Sequence, residues 1–253
     1  MTKLLLSGCC GHMGKTVTAL AKENDSVEIV AGVDIKEDNN LDYPVFASFD
    51  EVNVSFDVIV DFSNPSALSG ILDYSQKHSK PAVLCSTGYS EEQIDTINIA
   101  SEHCALFRSA NMSLGINLIS ELCEYAAKVL GKAFDVEIVE AHHNLKLDAP
   151  SGTALMLEKS VEKGLDYSPE LVYDRHNNRK KRSSNEIGMH SIRGGTIVGE
   201  HQVIFAGEDE IVTISHSARS KSVFAVGALN AAVFMKNKQH GLYTMSDVIK
   251  SQN

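Results

Sequence analysis

Apolar and polar positions divide the chain into two stretches of different rhythm. In the first, short apolar runs at 3–7, 27–33, 57–61, 81–85 and 104–108 alternate with helical patterns at 15–22, 66–78 and 91–102. Continuous apolar runs are the mark of strands buried on both faces of a parallel sheet. The repeated strand–helix order predicts right-handed crossovers between them. Residues 114–130 place apolar side chains at helical spacing, and this helix leads into the second stretch. There, 135–140 alternates as a half-buried strand and a helix opens near 154. Residues 164–186 are polar and turn-rich, and 187–193, 198–205 and 210–216 predict an antiparallel set with Gly194-Gly195 as a hairpin turn. The run 223–234 is apolar nearly all round, which predicts a buried helix, and 241–249 predicts a final short one.

Candidate chemistry concentrates between the strand at 135–140 and the helix near 154, in the run Glu140-Ala-His-His-Asn-Leu-Lys-Leu-Asp-Ala-Pro-Ser-Gly-Thr-Ala154. Histidines such as His142 and His143 change charge near neutral pH. Lys146 brings a positive charge and a transferable proton, and Asp148 either orients a neighbour or caps a turn. Ser151, Gly152 and Thr153 open the helix, where backbone N–H groups grip anions. A polar loop with a satisfied histidine pair is the bland alternative. Two histidines, a lysine and an anion-binding helix start within twelve residues favour a site.

A second motif stands at the start. Gly8-Cys-Cys-Gly-His-Met-Gly14 follows the first predicted strand and precedes the first helix. Glycine is needed there for a tight turn and for close approach to a pyrophosphate. Asp34 ends the second strand, where a carboxylate accepts hydrogen bonds from an adenosine ribose; a strand-end turn residue is the alternative. Gly8, Cys9, Cys10, Gly11, His12, Met13 and Asp34 are therefore the expected dinucleotide contacts. Asp34 favours NADH, since it repels a 2′-phosphate, while His12, Lys15 and Lys36 soften that preference. The fold class is α/β: a Rossmann-like parallel-sheet domain followed by an α+β domain on a mixed sheet.

Composition narrows the partners. The 253 residues are 43% apolar and 22% charged, with a net charge of −10. That is ordinary for a globular protein and argues against nucleic acid as a partner. The charge also means that an anionic substrate needs a local positive patch. No apolar run approaches the roughly 18–20 residues of a membrane span, and the N-terminal residues are too short a run for a signal peptide. Five cysteines occur with no C-x-x-C spacing, so neither a disulfide framework nor a zinc site is expected, and a reducing cytosol is the simple inference. The basic run 175–182 reads as a solvated loop, with a mobile flap over an anion as a weaker alternative.

The run 140–154 resembles the signature of the 4-hydroxy-tetrahydrodipicolinate reductase (dihydrodipicolinate reductase) family, as does the phrase from Arg193 to His201. The resemblance implies reduction of that substrate, through its dehydrated form, to tetrahydrodipicolinate with NADH and/or NADPH in lysine and diaminopimelate biosynthesis. It implies a cytoplasmic homotetramer acting on a small dicarboxylate, with no membrane partner and no metal. Cys85-Ser-Thr-Gly-Tyr stands where the family carries Gly-Thr-Thr-Gly-Phe, and Ala110-Asn-Met-Ser where it carries Ala-Asn-Phe-Ser. Cys85, Ser86, Thr87, Ser109, Ala110, Asn111 and Met112 thereby inherit contacts to nicotinamide and its ribose. Two departures matter: Ile35 and Lys221 stand where the family often has arginine. Ile35 further favours NADH.

Residues 1–112, completed by 218–253, are the expected dinucleotide domain, and 113–217 the substrate-binding and tetramerisation domain. His142 and Lys146 are the expected acid/base pair and His143 a substrate contact. Ser151, Gly152 and Thr153 hold a carboxylate. A helix N-terminus supplies only about 0.3–1 kcal/mol at exposed sites, so Lys146 must share the charge. Two other functions compete. Sugar-type or amino-acid dehydrogenases share the early glycines but not the His-His-x-x-Lys run. A nucleotide-sensing module without catalysis would tolerate loss of Lys146.

Overall fold

The N-terminal apolar run becomes β1 (Thr2–Ser7), in which Leu4, Leu5 and Leu6 are fully buried. The structure, a computed structural model, describes residues 1–36, 40–173, 175–176 and 179–251. It divides into two units, Met1–Ser113 with Ser222–Asn253 and Leu114–Lys221. In the first unit β1 is followed by α1 (His12–Lys22), β2 (Val27–Val33), the two-residue β3 (Val45–Phe46) and β4 (Val58–Asp61). Then come α2 (Leu68–His78), β5 (Ala82–Leu84), α3 (Glu91–Ser101) and β6 (Ala105–Arg108). α3 starts where a capping box fixes it: Ser90 Oγ accepts from the Gln93 N–H, and the Gln93 side chain accepts from the Ser90 N–H.

The second unit runs α4 (Leu114–Leu130), β7 (Asp135–His142), α5 (Gly152–Gly164), β8 (Glu170–Val172), β9 (Glu186–Arg193), β10 (Gly199–Ala206) and β11 (Ile211–Ala218). Its sheet has the order β11-β10-β7-β9-β8. Ile116, Ile119 and Cys123 of α4 and Leu157 and Val161 of α5 pack with Val136, Ile138, Met189, Val203 and Phe205 from the strands. Each such large apolar side chain contributes about 1.5–3 kcal/mol when fully buried. α5 ends close to α4 because Gly164 has no Cβ; one would collide with the Glu124 carbonyl.

The expected antiparallel set is half right. β10 pairs antiparallel with both β11 and β7, but β9 pairs parallel with β7 and β8. Gly194-Gly195 therefore does not close a hairpin. It carries the chain across the end of β7, with Gly194 N–H donating to His142 O (2.9 Å) and Asn144 N–H to Gly195 O (3.2 Å). β7 alternates buried Val136, Ile138, Glu140 and His142 with half-exposed positions, and it gains ladders on both edges by sitting between β9 and β10.

The chain then returns through α6 (Ser222–Met235), β12 (Gly241–Tyr243) and α7 (Met245–Lys250), all in the first unit. The seven-stranded sheet of that unit, order β12-β6-β5-β4-β1-β2-β3, is parallel at every pairing. α6 buries the small face Ala225, Ala228, Ala231 and Ala232 but leaves Val226 and Val233 exposed, so it is covered on one side and not all round. The helix expected over 241–249 begins only at Met245, where Thr244 and Asp247 form a capping box. The three residues Gly241–Tyr243 pair with β6 instead.

Candidate active site

In the first unit, Gly8 at φ +78° turns the chain out of β1 so tightly that a Cβ there would meet the Phe62 backbone at 2.7 Å. A Cβ at Gly14 would collide with the Gly8 carbonyl. α1 then starts at Gly11 with no side-chain cap and no acidic residue in its first turn. Its N-terminus is thus a backbone anion site. The Asp34 carboxylate accepts from the N–H groups of Cys10 and Lys36, both at 3.0 Å, which locks the end of β2 to the glycine turn. A cavity of about 750 Å³ opens here, lined by Gly8, Cys10, Gly11, Asp34, Ile35 and Lys36 and also by Phe49, Tyr74, Lys77 and His78. Cys9 is fully buried against Gly32, and burial pushes its thiol up to about 12.

The Cys85–Thr87 segment leaves β5 beside a buried carboxylate that sequence reasoning passed over. Asp61, at the end of β4, accepts from the hydroxyls of Ser63 (2.5 Å) and Ser86 (2.6 Å). Cys85, in place of glycine, donates its N–H to Asp61 O (2.9 Å) and turns its thiol toward Val83 O (3.9 Å). Asn111 accepts from the Ser113 N–H (2.8 Å), and Met112 is buried.

In the second unit the organising group is Glu140, fully buried at the end of β7. Its carboxylate accepts both Arg193 guanidinium arms (2.7 and 2.8 Å), faces His142 Nδ1 at 2.6 Å, and accepts the Ser151 N–H at 3.2 Å. Burial pushes this carboxyl up, but the hydrogen bonds from Arg193, His142 and Ser191 outweigh it and hold it at about 2. A carboxylate can only accept, so Nδ1 of His142 carries the proton in this contact and Nε2 is the ring's other edge. A Cβ on Gly199 would stand 3.1 Å from that Nε2.

Ser151 is the N-cap of α5: its Oγ accepts from Ala154 N–H (3.2 Å) and meets His201 Nε2 (3.1 Å). His201 lies edge-on to His142, ring centres 5.2 Å apart. Burial, then the neighbouring His142, lowers its pKa to about 4, so it is neutral at pH 7. Lys146 Nζ pairs with Asp148 Oδ1 at 2.7 Å, and Lys146 holds that carboxyl below its usual range. His143 Nδ1 is buried with no hydrogen-bond partner. Gly152 is exposed at the helix start.

Residues 2–112 match the family described as dihydrodipicolinate reductase, N-terminus, and residues 115–249 match dihydrodipicolinate reductase, C-terminus. The chain belongs to the dihydrodipicolinate reductase family. It is 51% identical to the 4-hydroxy-tetrahydrodipicolinate reductase of Caldanaerobacter subterraneus subsp. tengcongensis over 99% of each chain. It is 49% identical to that of Clostridium novyi over 100% of each. A solved structure, dipicolinate-bound dihydrodipicolinate reductase from Paenisporosarcina sp. TG-14, has the same fold. Its TM-score is 0.81 at 23% identity, covering 98% of this chain and 99% of that one.

Within this member of the dihydrodipicolinate reductase family, the second unit gathers His142, His143, Lys146, Ser151, Gly152 and Thr153 on one strand end, loop and helix start. The first unit gathers Gly8 to Met13 and Asp34 around the glycine turn. Sequence reasoning missed Glu140, Arg193 and His201 as a working cluster. The signal was a charged residue at the buried parity of an alternating strand. The basic run is not simply solvated: Arg175 pairs with Glu186 (2.6 Å) and Glu137 (3.0 Å), and Arg182 with Asp135 (2.6 Å) and Glu137 (3.1 Å). Asn177 and Asn178 of that run lie outside the described residues. Lys221 is exposed, just before α6.

Proposed function

We propose that this protein reduces 4-hydroxy-tetrahydrodipicolinate, through its dehydrated form, to tetrahydrodipicolinate with NADH or NADPH, in lysine and diaminopimelate biosynthesis. The fold of 140–154 carries the reading: an imidazole tethered to a buried carboxylate, a lysine and a helix start are held together in a chain akin to reductases of that name. Bound reduced nicotinamide supplies the hydride, which no side chain can. The glycine turn, which a Cβ would block, and the uncapped α1 suit its pyrophosphate.

His142 and Lys146 are the acid/base pair in this proposal. Glu140 fixes the His142 tautomer, so that Nε2 is the edge that exchanges a proton with the ring. Lys146 meets negative charge as it builds toward the ring nitrogen. Gly152 and Thr153 hold a substrate carboxylate at the start of α5, and Ser151, expected to share that contact, contributes as the N-cap because its hydroxyl is taken up by Ala154 N–H and His201. The orphaned Nδ1 of His143 suits a substrate hydrogen bond. Asp34, already accepting two backbone N–H groups, favours the ribose of NADH over a 2′-phosphate, while Lys36, Lys77 and His78 border the same cavity and keep NADPH usable. The first unit is the dinucleotide domain and the second the substrate domain of a cytoplasmic homotetramer, as the family resemblance implies.

The test couples aspartate semialdehyde and pyruvate through the upstream synthase and follows oxidation of either nucleotide. Lys146→Ala should keep NADH binding and lose most turnover. Normal turnover in that variant rejects the role of Lys146, and no oxidation of either nucleotide by the unaltered protein rejects the activity.

A further inference from the structure

We propose that Cys9, Cys10 and Asp34 form a thiophilic metal site at the glycine turn, taking a soft divalent cation of the zinc and cadmium type that shuts out the dinucleotide. The two sulfurs are 3.9 Å apart, and with an Asp34 oxygen all three candidate ligand atoms lie within 4.8 Å of one another. A tetrahedral zinc at about 2.3 Å from each of two thiolates holds its sulfurs about 3.8 Å apart, so the thiols are already spaced for it. Their positions are fixed by packing and backbone. A Cβ on Gly32 would stand 2.5 Å from Cys9 Sγ, so that sulfur lies tight against the glycine, and the Asp34 carboxylate is held by Cys10 N–H and Lys36 N–H. Cys10 is half-buried and lines the cavity, which gives a cation a way in.

Adjacent cysteines do not have the C-x-x-C spacing, and their third partner lies 24 positions further on. This is why the sequence predicts no zinc site. On binding, two thiol protons leave to solvent. A divalent cation then joins two thiolates and one carboxylate, and its fourth position is open to water. Soft thiolates select such cations over magnesium or calcium. The site stands on the geometry of the turn alone. Its antagonism to the cofactor rests on the dinucleotide placement proposed above, because both ligands need Asp34 and the space beside Cys10.

The experiment titrates cadmium ion alone into the reduced, full-length protein and reads thiolate-to-metal charge-transfer absorbance. One equivalent should saturate the signal. Cys10→Ala and Asp34→Ala should each weaken binding at least tenfold. Cys9→Ala keeps a small apolar residue against Gly32 and should do the same; if it misfolds, Cys10→Ala carries the test. A missing charge-transfer signal in the unaltered protein overturns the site, as does undiminished binding by Cys10→Ala. Added NADH should move the cadmium midpoint to higher concentration; an unmoved midpoint, with NADH shown to bind in the absence of metal, overturns the exclusion. NADH titration without metal tests the cofactor placement separately.

Discussion

Replacing Arg193 by methionine isolates what holds the second unit's site together. Arg193 gives both guanidinium arms to a carboxylate with no solvent exposure. Removing one partner of a buried pair strands the other and costs about 3–5 kcal/mol. Glu140 itself gives an upper figure for the same contact, because His142 and Ser191 share with Arg193 in lowering its pKa. A fall from the ordinary 4.5 to about 2 corresponds to roughly 3 kcal/mol at neutral pH, at about 1.4 kcal/mol for each tenfold change in acidity. The folded carboxyl is the stronger acid, so this stabilisation is complete above about pH 4.5 and is lost as pH falls toward 2. At pH 3 about 1.4 kcal/mol of it remains. Arg193→Met should therefore be less stable than the unaltered chain by about 3 kcal/mol at pH 7, and the gap should narrow by about 2 kcal/mol at pH 3. Urea melts followed by circular dichroism give the totals, and hydrogen exchange at amides of β7 and β10 reads the second unit alone. A gap under about 1 kcal/mol at pH 7, or one that does not change with pH, refutes the argument.

Three further outcomes are expected. Gly14→Ala should raise the NADH dissociation constant at least tenfold and destabilise the chain by about 1–3 kcal/mol, because its Cβ falls on the Gly8 carbonyl; fluorescence titration and thermal melts check both. Asp34→Ala should raise the kcat/KM ratio of NADPH to NADH by about tenfold through loss of like-charge repulsion, read by steady-state rates with each nucleotide. Ser151→Ala removes the α5 cap and should cost about 1 kcal/mol in melts, with a higher KM for the substrate.

Much of the architecture was legible because it is written in local rhythm. The unbroken apolar runs 3–7 and 57–61 announce strands buried on both faces, and the glycines before α1 announce a turn that side chains would block. What escaped depends on partners distant in the chain. Glu140 sits at an inward position of β7 and its counter-ion is 53 residues away. The two meet only because β9 lies beside β7 in parallel, with His142 opposite Arg193. The apparent hairpin at Gly194-Gly195 concealed that register, since a glycine pair between two strands reads the same whether they become neighbours or straddle a third. Asp61 was hidden likewise, as the last residue of an apolar run with one partner, Ser63, in the turn that follows it and the other, Ser86, 25 residues on.

The charge balance around the candidate site of the second unit separates Arg193 from Lys146. Arg193 and Lys146 both face carboxylates, in a chain of net charge −10 that is proposed to bind a dianion. Asp148 is 58% exposed on its side chain, and an exposed pair of that kind is worth about 0–1 kcal/mol. Glu140 has no exposure, and separating it from Arg193 costs several times more. An incoming carboxylate can therefore displace Asp148 from Lys146 at little expense, whereas taking Arg193 would leave a buried anion behind. On this ground Lys146 is the cation proposed to meet substrate. Arg193 holds Glu140, and through it His142 and the start of α5, in place.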